Sequence, residues 1–296
     1  MDASPELFVT LPNKVRLCYQ TFGNPTDPAV IFIAGHGGSL LEWNEDMLRL
    51  FSPAPSRRYL IRFDARDTGL STEFPVPAGY DLSDMAGDVD GLIAHLGLSS
   101  KGVHLVGASM GGPIAYILAA RNPQQVRSLT LLYASPGASE ELPLKPLMDL
   151  PMPPMGFGDM KREYVKFNMA QYDALVTQPN AEDRAEYEAL VTRVTEREMR
   201  AGTLYSKGPN HGAAGFAPRP GVEILKDVTS PSTVIQAAHD QFFGVEHGEA
   251  LAKGLPNSEY VLLEDVGHEL PRRIWGRLAE VLLQTWKRGD DAWVAE

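Results

Sequence analysis

Apolar residues recur along the chain in two alternating patterns. Short runs in which most residues are apolar, such as 29–34 and 126–134, are typical of parallel strands buried on both faces of a sheet. Between such runs, apolar positions recur every three or four residues, as in 82–96, where Gly97 ends the predicted helix. Because strands and helices alternate, we predict an α/β fold with a mostly parallel, doubly wound sheet.

The predicted elements begin with an antiparallel hairpin made of 7–10 and 15–21, whose connecting residues 11–14 favour a turn. Further strands are predicted at 29–34, 59–64, 103–106, 126–134, 233–238 and 260–263, which gives about eight in total. Helices are predicted to begin near Trp43 and after Ser109, and to cover 82–96, 163–176, 181–201, 245–254 and 274–287.

The stretch 135–220 differs from the rest of the chain, because no strand is predicted in it. Six of the ten methionines lie there, at 148, 152, 155, 160, 169 and 199, together with several prolines. We interpret 135–220 as a helical lid inserted into a core domain formed by 1–134 and 221–296. Its flexible methionine side chains suit an adaptable apolar cover for a substrate.

A candidate nucleophile lies between the predicted strand 103–106 and the helix that follows it. The segment Gly107-Ala108-Ser109-Met110-Gly111 matches the G-x-S-x-G pattern of a nucleophile elbow, a sharp turn that presents one serine at the edge of a sheet. The pattern by itself arises by chance in many chains, so the flanking strand and helix are what support it. A serine hydroxyl also needs a histidine to accept its proton and a carboxylate to orient that histidine.

Candidates for these two partners follow later predicted strands. Asp240 comes directly after strand 233–238, and His268 lies in the loop after the last strand. Loops at the carboxyl ends of parallel strands converge on one edge of the sheet, so both residues can reach Ser109. Their order along the chain, Ser, Asp, His, is the one expected for an α/β-hydrolase triad.

Other residues compete for both roles. The alternative site for the acid is Glu140 or Glu141, which follow the strand ending at 134, while Asp265 is too close in sequence to the histidine. The remaining histidines are His36, His95, His104, His211, His239 and His247. His95 and His104 fall inside a predicted helix and a predicted strand, which favours structural roles for them.

A serine nucleophile of this kind also needs two backbone N–H groups that stabilise an oxyanion. One belongs to Met110, the residue after the serine, and the other comes from the glycine loop after strand 29–34. Two alignments of that loop with the oxyanion-hole motif are possible, and the second donor is His36 in one and Gly38 in the other. The end of the strand and the distance to Trp43 favour His36.

The composition of the chain limits its partners. With a net charge of −11 and a pI near 5.2, the chain is not expected to bind nucleic acid or an anionic membrane. The single cysteine, Cys18, excludes a disulfide within the chain. No secretory leader, membrane span or metal-ligand spacing is evident. We therefore expect a cytoplasmic monomer or homodimer that uses no metal and no cofactor.

Together these motifs resemble the α/β-hydrolase superfamily over essentially the whole chain, and more closely the aclacinomycin methylesterase family. The likeness rests on the segments 63–71, 107–111, 234–240, 246–252 and 267–271. That family removes a methyl group from a carboxylate ester on anthracycline polyketides. The resemblance implies that Ser109, Asp240 and His268 are nucleophile, acid and base. It also implies that His36 and Met110 are the oxyanion donors.

We therefore expect a serine hydrolase that cleaves an ester or lactone of a fairly large, apolar, polyketide-like metabolite through an acyl-enzyme. The candidate residues for substrate contact are Gly35, Gly37, Trp43, Met152, Met155 and Phe157. The alternative is an enzyme that uses the same triad for C–C bond cleavage, cyclisation or lyase chemistry, since a fold does not fix a function. A non-catalytic ligand receptor is a remote alternative, and the intact Ser, Asp and His argue against it.

Overall fold

The computed structural model of the chain describes residues 2–51, 57–144, 159–177, 179–202, 209–217 and 221–293. Its strands within these ranges are β1 (Leu7–Thr10), β2 (Arg16–Phe22), β3 (Ala29–Ile33), β4 (Tyr59–Phe63), β5 (Val103–Ala108), β6 (Val126–Leu132), β7 (Ser232–Ala237) and β8 (Ser258–Leu263). They form one sheet in the order β1-β2-β4-β3-β5-β6-β7-β8. β1 and β2 form the predicted antiparallel hairpin, and β3 to β8 are parallel to one another.

Helices cover both faces of this sheet. In the described ranges they are α1 (Glu45–Arg49), α2 (Leu82–His95), α3 (Gly111–Arg121), α4 (Met160–Leu175), α5 (Ala181–Ala201), α6 (Pro209–Phe216), α7 (Val245–Gly254) and α8 (Trp275–Ala292). Side chains of α2, α3 and α7 belong to one apolar core, and those of α1 and α8 belong to a second. Alternate residues of β3 supply the two cores, Ile31 and Ile33 the first and Val30 and Phe32 the second. Burial on both faces explains the continuously apolar strands and confirms the predicted α/β architecture.

Helices α4, α5 and α6 lie between β6 and β7 in the chain, where the helical lid was expected. Asn180, a candidate N-cap in the sequence, accepts a hydrogen bond from the N–H of Asp183 at 2.8 Å. Gly202 ends α5 in the left-handed conformation, with a φ of 76°. The cap and the end of α5 are therefore as predicted. The limits of the lid, expected at 135 and 220, stay a prediction.

The largest differences from the sequence-based predictions concern two helices, while α4 begins at Met160, three residues earlier than predicted. Helix α8 continues past its predicted end at Lys287, because Asp290 in its last turn is held by Arg58 at 2.9 Å. Helix α6 is absent from the prediction, since it contains Gly212 and Gly215, which have low helix propensity. Within the described ranges, the helices are all too short or too polar to cross a membrane.

Candidate active site

Ser109 lies in a sharp turn between β5 and α3. Its φ of 51° falls in the left-handed region, which is rare for a residue with a side chain and marks local backbone strain. Close backbone contacts require the two glycines of the motif. A Cβ at Gly107 would lie 2.3 Å from the carbonyl oxygen of Gly111, and one at Gly111 would lie 2.3 Å from that of Ile33. The backbone around the serine therefore has the geometry of a nucleophile elbow.

The turn fixes Ser109 at the carboxyl edge of the sheet and at the start of α3. The N–H of Ser109 donates to the carbonyl of Leu132, the last residue of β6, at 2.8 Å. Met110 directly precedes the first residue of α3 and is buried. Unpaired N–H groups and the positive end of the helix dipole lie at such a helix start, so the position beside the serine favours negative charge.

Asp240 and His268 are in direct contact. Nδ1 of His268 lies 2.8 Å from Oδ2 of Asp240, whose side chain is fully buried. The other carboxylate oxygen of Asp240 accepts hydrogen bonds from the backbone N–H groups of Phe242 and Phe243, at 2.7 and 3.0 Å. A carboxylate held in this way keeps the proton of a neutral imidazole on Nδ1 and leaves Nε2 able to accept another.

Three aromatic rings surround the imidazole of His268. The ring centroids of Phe242, Phe243 and Tyr133 lie 4.7, 5.8 and 5.9 Å from the centroid of the imidazole. Burial raises the pKa of the Tyr133 hydroxyl, and neighbouring carboxylates raise it further. Tyr133 therefore stays neutral, and the three rings restrict the orientation of the imidazole by packing.

The glycine loop after β3 passes directly against Ser109. A Cβ at Gly35 would lie 3.1 Å from the Cβ of Ser109. The loop makes a tight turn in which the N–H of Gly38 donates to the carbonyl of Gly35 at 3.2 Å. The N–H of Gly37, whose φ is 65°, donates to Nδ1 of His211 at 3.0 Å. The N–H groups of Gly37 and Gly38 are thus both engaged in hydrogen bonds within the protein.

Ser109 and His268 line one cavity of about 1290 Å³. Its wall includes apolar residues from helices α4 and α5, such as Leu175 and Leu190. We refer to α4, α5 and α6 together as the helical insertion. It also contains the carboxylates of Glu42, Glu141, Asp183, Glu186, Glu223 and Glu269. No lysine or arginine contributes to the part of the wall that the described residues form. Arg272 and Arg273 bind three of these carboxylates without lining the cavity, so the wall has a negative net charge.

Only some of the residues predicted to contact substrate line this cavity in the described part of the chain. Gly35 lines the cavity, as do His36 and Met110, the residues expected to supply the oxyanion donors. Trp43 is a core residue instead, 1% exposed and 4.9 Å from Phe32 between ring centroids, because the turn at 40–42 directs it under the sheet. The expectation that Trp43 contacts substrate is therefore corrected. Gly37 is also absent from the wall. The candidates Met152, Met155 and Phe157 lie outside the described residues.

Several residues of the site were not predicted from the sequence. Phe242 and Phe243 directly follow the candidate acid, and an aromatic pair at that position is a signal that could have identified them. Tyr133 carries no comparable signal, because a φ of 49° at the end of a strand brings it to the site. His211 is in the helix that the sequence does not predict, so its position could not be inferred.

Known proteins share this fold over nearly the same length. The rhodomycin D methylesterase DnrP of Streptomyces peucetius is 28% identical, in an alignment covering 91% of this chain and 94% of that protein. The esterase RhEst1 from Rhodococcus sp. ECU1013 has a similar structure, with a TM-score of 0.72 at 22% identity over 95% of this chain and 100% of that one. The enol-lactonase from Burkholderia xenovorans LB400 gives a TM-score of 0.70 at 18% identity, covering 95% and 100%.

A protein-family model matches most of the chain and shows which family it belongs to. The model described as alpha/beta hydrolase fold matches residues 28–271, from the strand before the glycine loop to the loop that contains His268. The matched region includes Ser109 and Asp240 and spans most of the parallel sheet. This chain therefore belongs to the alpha/beta hydrolase fold family.

Proposed function

We propose that this protein is a carboxylic ester hydrolase that acts through an acyl-enzyme on Ser109. His268 is the general base, and Asp240 orients and stabilises its imidazolium form. The backbone N–H groups of Met110 and His36 hold the oxyanion. The substrate class is an ester or lactone of a fairly large, mainly apolar, polyketide-like molecule.

One observation carries this proposal more than any other. The imidazole of His268 is bonded through Nδ1 to the buried carboxylate of Asp240, and it shares a cavity with a serine on a strained turn. This is the arrangement that activates a serine hydroxyl. It favours Asp240 over the alternative acids Glu140 and Glu141, which are exposed at the surface.

The chemistry follows from this arrangement. Oγ of Ser109 attacks the ester carbonyl carbon while its proton passes to Nε2 of His268, and the carbonyl oxygen becomes an oxyanion. When the tetrahedral intermediate collapses, the bond to the alcohol oxygen breaks and the imidazolium gives that oxygen its proton. Water then attacks the acyl-enzyme while His268 takes one of its protons. When this second intermediate collapses, the bond to Oγ of Ser109 breaks, His268 returns the proton to Oγ, and the carboxylic acid is released.

The hydrogen bonds of the glycine loop support His36 as the second oxyanion donor. The N–H of Gly38, the other candidate, already donates to the carbonyl of Gly35. The N–H of Gly37 donates to His211. His36 directly follows Gly35, the glycine that lies against Ser109, so this alignment keeps the donor beside the nucleophile. Loss of one such donor costs about 10²- to 10³-fold in rate.

The cavity supports a large substrate without a negative charge. A volume of about 1290 Å³ exceeds the usual range for small-ligand pockets. One relative is a rhodomycin D methylesterase, and methyl ester cleavage on such a molecule fits a substrate of this size. The carboxylate wall disfavours anionic esters and also repels the carboxylate product, which promotes its release.

The test compares Ser109→Ala with wild type on p-nitrophenyl esters of short and medium acyl chains. We expect a fall in kcat of about 10³-fold or more, since the nucleophile is removed. Ser100→Ala is the matched control, because Ser100 is exposed near the opposite end of β5. Unchanged turnover in Ser109→Ala would contradict the proposal. Turnover of a β-diketone without an acyl-enzyme would favour C–C bond cleavage instead.

A further inference from the structure

His211 is a fully buried histidine that the proposed reaction does not use. It lies in α6, within the helical insertion, and is 0% exposed. Even so, it is part of the cavity wall, and its ring centroid lies 5.9 Å from that of His36. A buried imidazole beside the glycine loop needs a structural or functional explanation.

The hydrogen bonds of His211 define its protonation state. Nδ1 of His211 accepts from the N–H of Gly37 at 3.0 Å, and an amide N–H is always a donor. Nε2 lies 2.6 Å from the carbonyl oxygen of Arg66, which is always an acceptor. Both contacts are satisfied together only by the neutral imidazole with its proton on Nε2. His211 thus presents a lone pair to the glycine loop.

The bond from Gly37 controls a peptide plane next to the proposed oxyanion donor. The N–H of Gly37 and the carbonyl of His36 belong to the same planar peptide unit. Fixing that plane limits the rotation of the preceding unit, which carries the N–H of His36. The preceding unit is also held directly, because the carbonyl of Gly35, which shares that unit with the N–H of His36, accepts from the N–H of Gly38. Gly37 completes the turn with a φ of 65°. His211 therefore contributes the contact that fixes this turn from the side of the insertion.

The acceptor is itself held rigidly. The neighbouring Asn210 is 3% exposed, donates to Oδ2 of Asp67 at 3.1 Å and accepts from the N–H of Ala78 at 3.0 Å. Together with the bond from His211 to Arg66, these contacts fasten α6 to the loop after β4. Because the contacts of Asn210 and the bond from His211 to Arg66 share this attachment, the loss of either one leaves Nδ1 of His211 within reach of the glycine loop.

We propose that His211 is a positioning residue for the oxyanion hole, acting through the N–H of Gly37 to orient the N–H of His36. The role rests on the proposed ester hydrolysis. The helical insertion thus does more than cover the substrate, because it supplies one of the contacts that assemble the catalytic loop.

A matched pair of substitutions separates the two contacts of His211. In His211→Asn, the amide oxygen takes the place of Nδ1 and can still accept from Gly37, while the contact with Arg66 is lost. In His211→Gln, the amide nitrogen reaches the place of Nε2 and can still donate to Arg66, while the contact with Gly37 is lost. We expect kcat on a p-nitrophenyl ester to fall about 10- to 100-fold in His211→Gln and less than about threefold in His211→Asn. KM should change little in either variant, because an oxyanion donor acts mainly in the transition state.

Asn210→Ala is the control for a merely structural role. It removes the anchors to Asp67 and Ala78 but leaves the bond between His211 and Gly37, so Tm should fall while kcat stays within about threefold of wild type. Equal losses of kcat in the Asn and Gln variants of His211 would overturn the proposal. So would a loss confined to KM, or a loss in Asn210→Ala as large as that in His211→Gln.

A measurement on the wild-type protein keeps the proposal testable where a variant does not fold. Protein labelled with ¹⁵N on histidine should show His211 as the neutral tautomer protonated on Nε2, and a tautomer protonated on Nδ1 would overturn the proposal. Failure of the proposed function is recognised separately, because Ser109→Ala would then keep its activity. Loss of activity in Ser109→Ala with full kcat in His211→Gln would overturn the role of His211 alone.

Discussion

The two carboxylate oxygens of Asp240 have different partners, and this decides how the residue responds to substitution. Oδ1 accepts two backbone N–H groups, and Oδ2 faces Nδ1 of His268. In Asp240→Asn, the amide oxygen must stay on the two N–H groups, because the amide nitrogen cannot accept from them. The amide nitrogen then faces Nδ1 and drives the proton of His268 to Nε2, the position that must accept one from Ser109.

We therefore expect Asp240→Asn to lower kcat by about 10⁴-fold with little change in Tm. The measurements are steady-state kinetics and thermal unfolding of the same preparation. Asp265→Asn is the matched control, since Asp265 is exposed just before His268 and should leave kcat near the wild-type value. A loss of less than about tenfold in Asp240→Asn would contradict the assigned role of Asp240.

At the residue scale, the sequence predicts what depends on the local backbone. Gly107 and Gly111 are identifiable as required glycines because the turn itself excludes a Cβ. The orientation of Trp43 is not predictable in this way, since its place under the sheet depends on packing against Phe32. The same holds for His211, whose partners Gly37 and Arg66 are distant in the chain.

The helices of the insertion are attached to the core by buried polar contacts as well as by apolar packing. Arg197 of α5 is 5% exposed and binds Oδ2 of Asp64 at 2.7 Å and Oε1 of Glu6 at 2.6 Å. Burial acts against the charged form of Arg197, but these carboxylates outweigh it and raise the pKa of the guanidinium. Asp64 also accepts from the N–H of Leu40, which follows the glycine loop. This part of the insertion therefore has a fixed attachment beside the site.

We expect Arg197→Leu to lower the free energy of unfolding by about 3 kcal/mol, because it leaves the buried charge of Asp64 without its main partner. Urea denaturation measures the change, and the double variant Arg197→Leu/Asp64→Asn should recover part of it. Arg200→Leu, on the exposed side of α5, is the control. A loss as small as that of the control would show that the ion pair does not anchor the helix.

The contact between β5 and α8 contains a buried histidine, His104, beside Asp290. Burial lowers the pKa of His104 to about 4, although the hydrogen bond to Asp290 acts in the opposite direction. In the unfolded chain this histidine binds a proton near pH 6.5. Between pH 6.5 and 4 the unfolded state therefore binds more protons than the folded one, so the free energy of unfolding falls as the pH falls.

We expect His104 to account for about 2–3 kcal/mol of that fall between pH 6.5 and 4.5. His104→Gln removes the titration but can keep the hydrogen bond to Asp290, so its unfolding free energy should depend less steeply on pH. Urea titrations at several pH values measure the slope, with exposed His95→Gln as the control. Equal slopes in wild type and His104→Gln would contradict the assignment.

At the element scale, local signals explain which predictions succeed. Asn180 and Gly202 delimit α5 through their own backbone and side-chain chemistry, so its bounds are predictable. The end of α8 is not, because Asp290 is held there by Arg58 from a distant part of the chain.

At the scale of the whole molecule, net charge and cavity charge have the same sign. The chain carries −11, and the described wall of the cavity contains carboxylates without lysine or arginine. We therefore expect a substrate with a terminal carboxylate to be repelled on entry. The composition predicts the overall charge, but only the fold shows that acidic residues from distant segments, such as Glu42 and Glu186, meet around one cavity.

Two p-nitrophenyl esters of similar length test whether the cavity disfavours anionic substrates. The pentanoate ester is neutral, and the mono-ester of succinic acid carries one carboxylate. We expect kcat/KM to be about tenfold or more lower for the anionic ester at low salt, because the wall repels it. The difference between the kcat/KM values of the two esters should become smaller in about 0.5 M NaCl, which screens exposed charges. Spontaneous hydrolysis of each ester is the reference, and equal kcat/KM values would contradict the predicted repulsion.

Covalent labelling with a fluorophosphonate shows directly whether Ser109 is the nucleophile. The tryptic peptide of residues 102–121 contains Ser109 as its only serine, so a fluorophosphonate label on it can be located by mass. We expect one label per wild-type chain, on Ser109, and none on Ser109→Ala, with slower labelling in Asp240→Asn. A label on another residue, or undiminished labelling of Ser109→Ala, would contradict it.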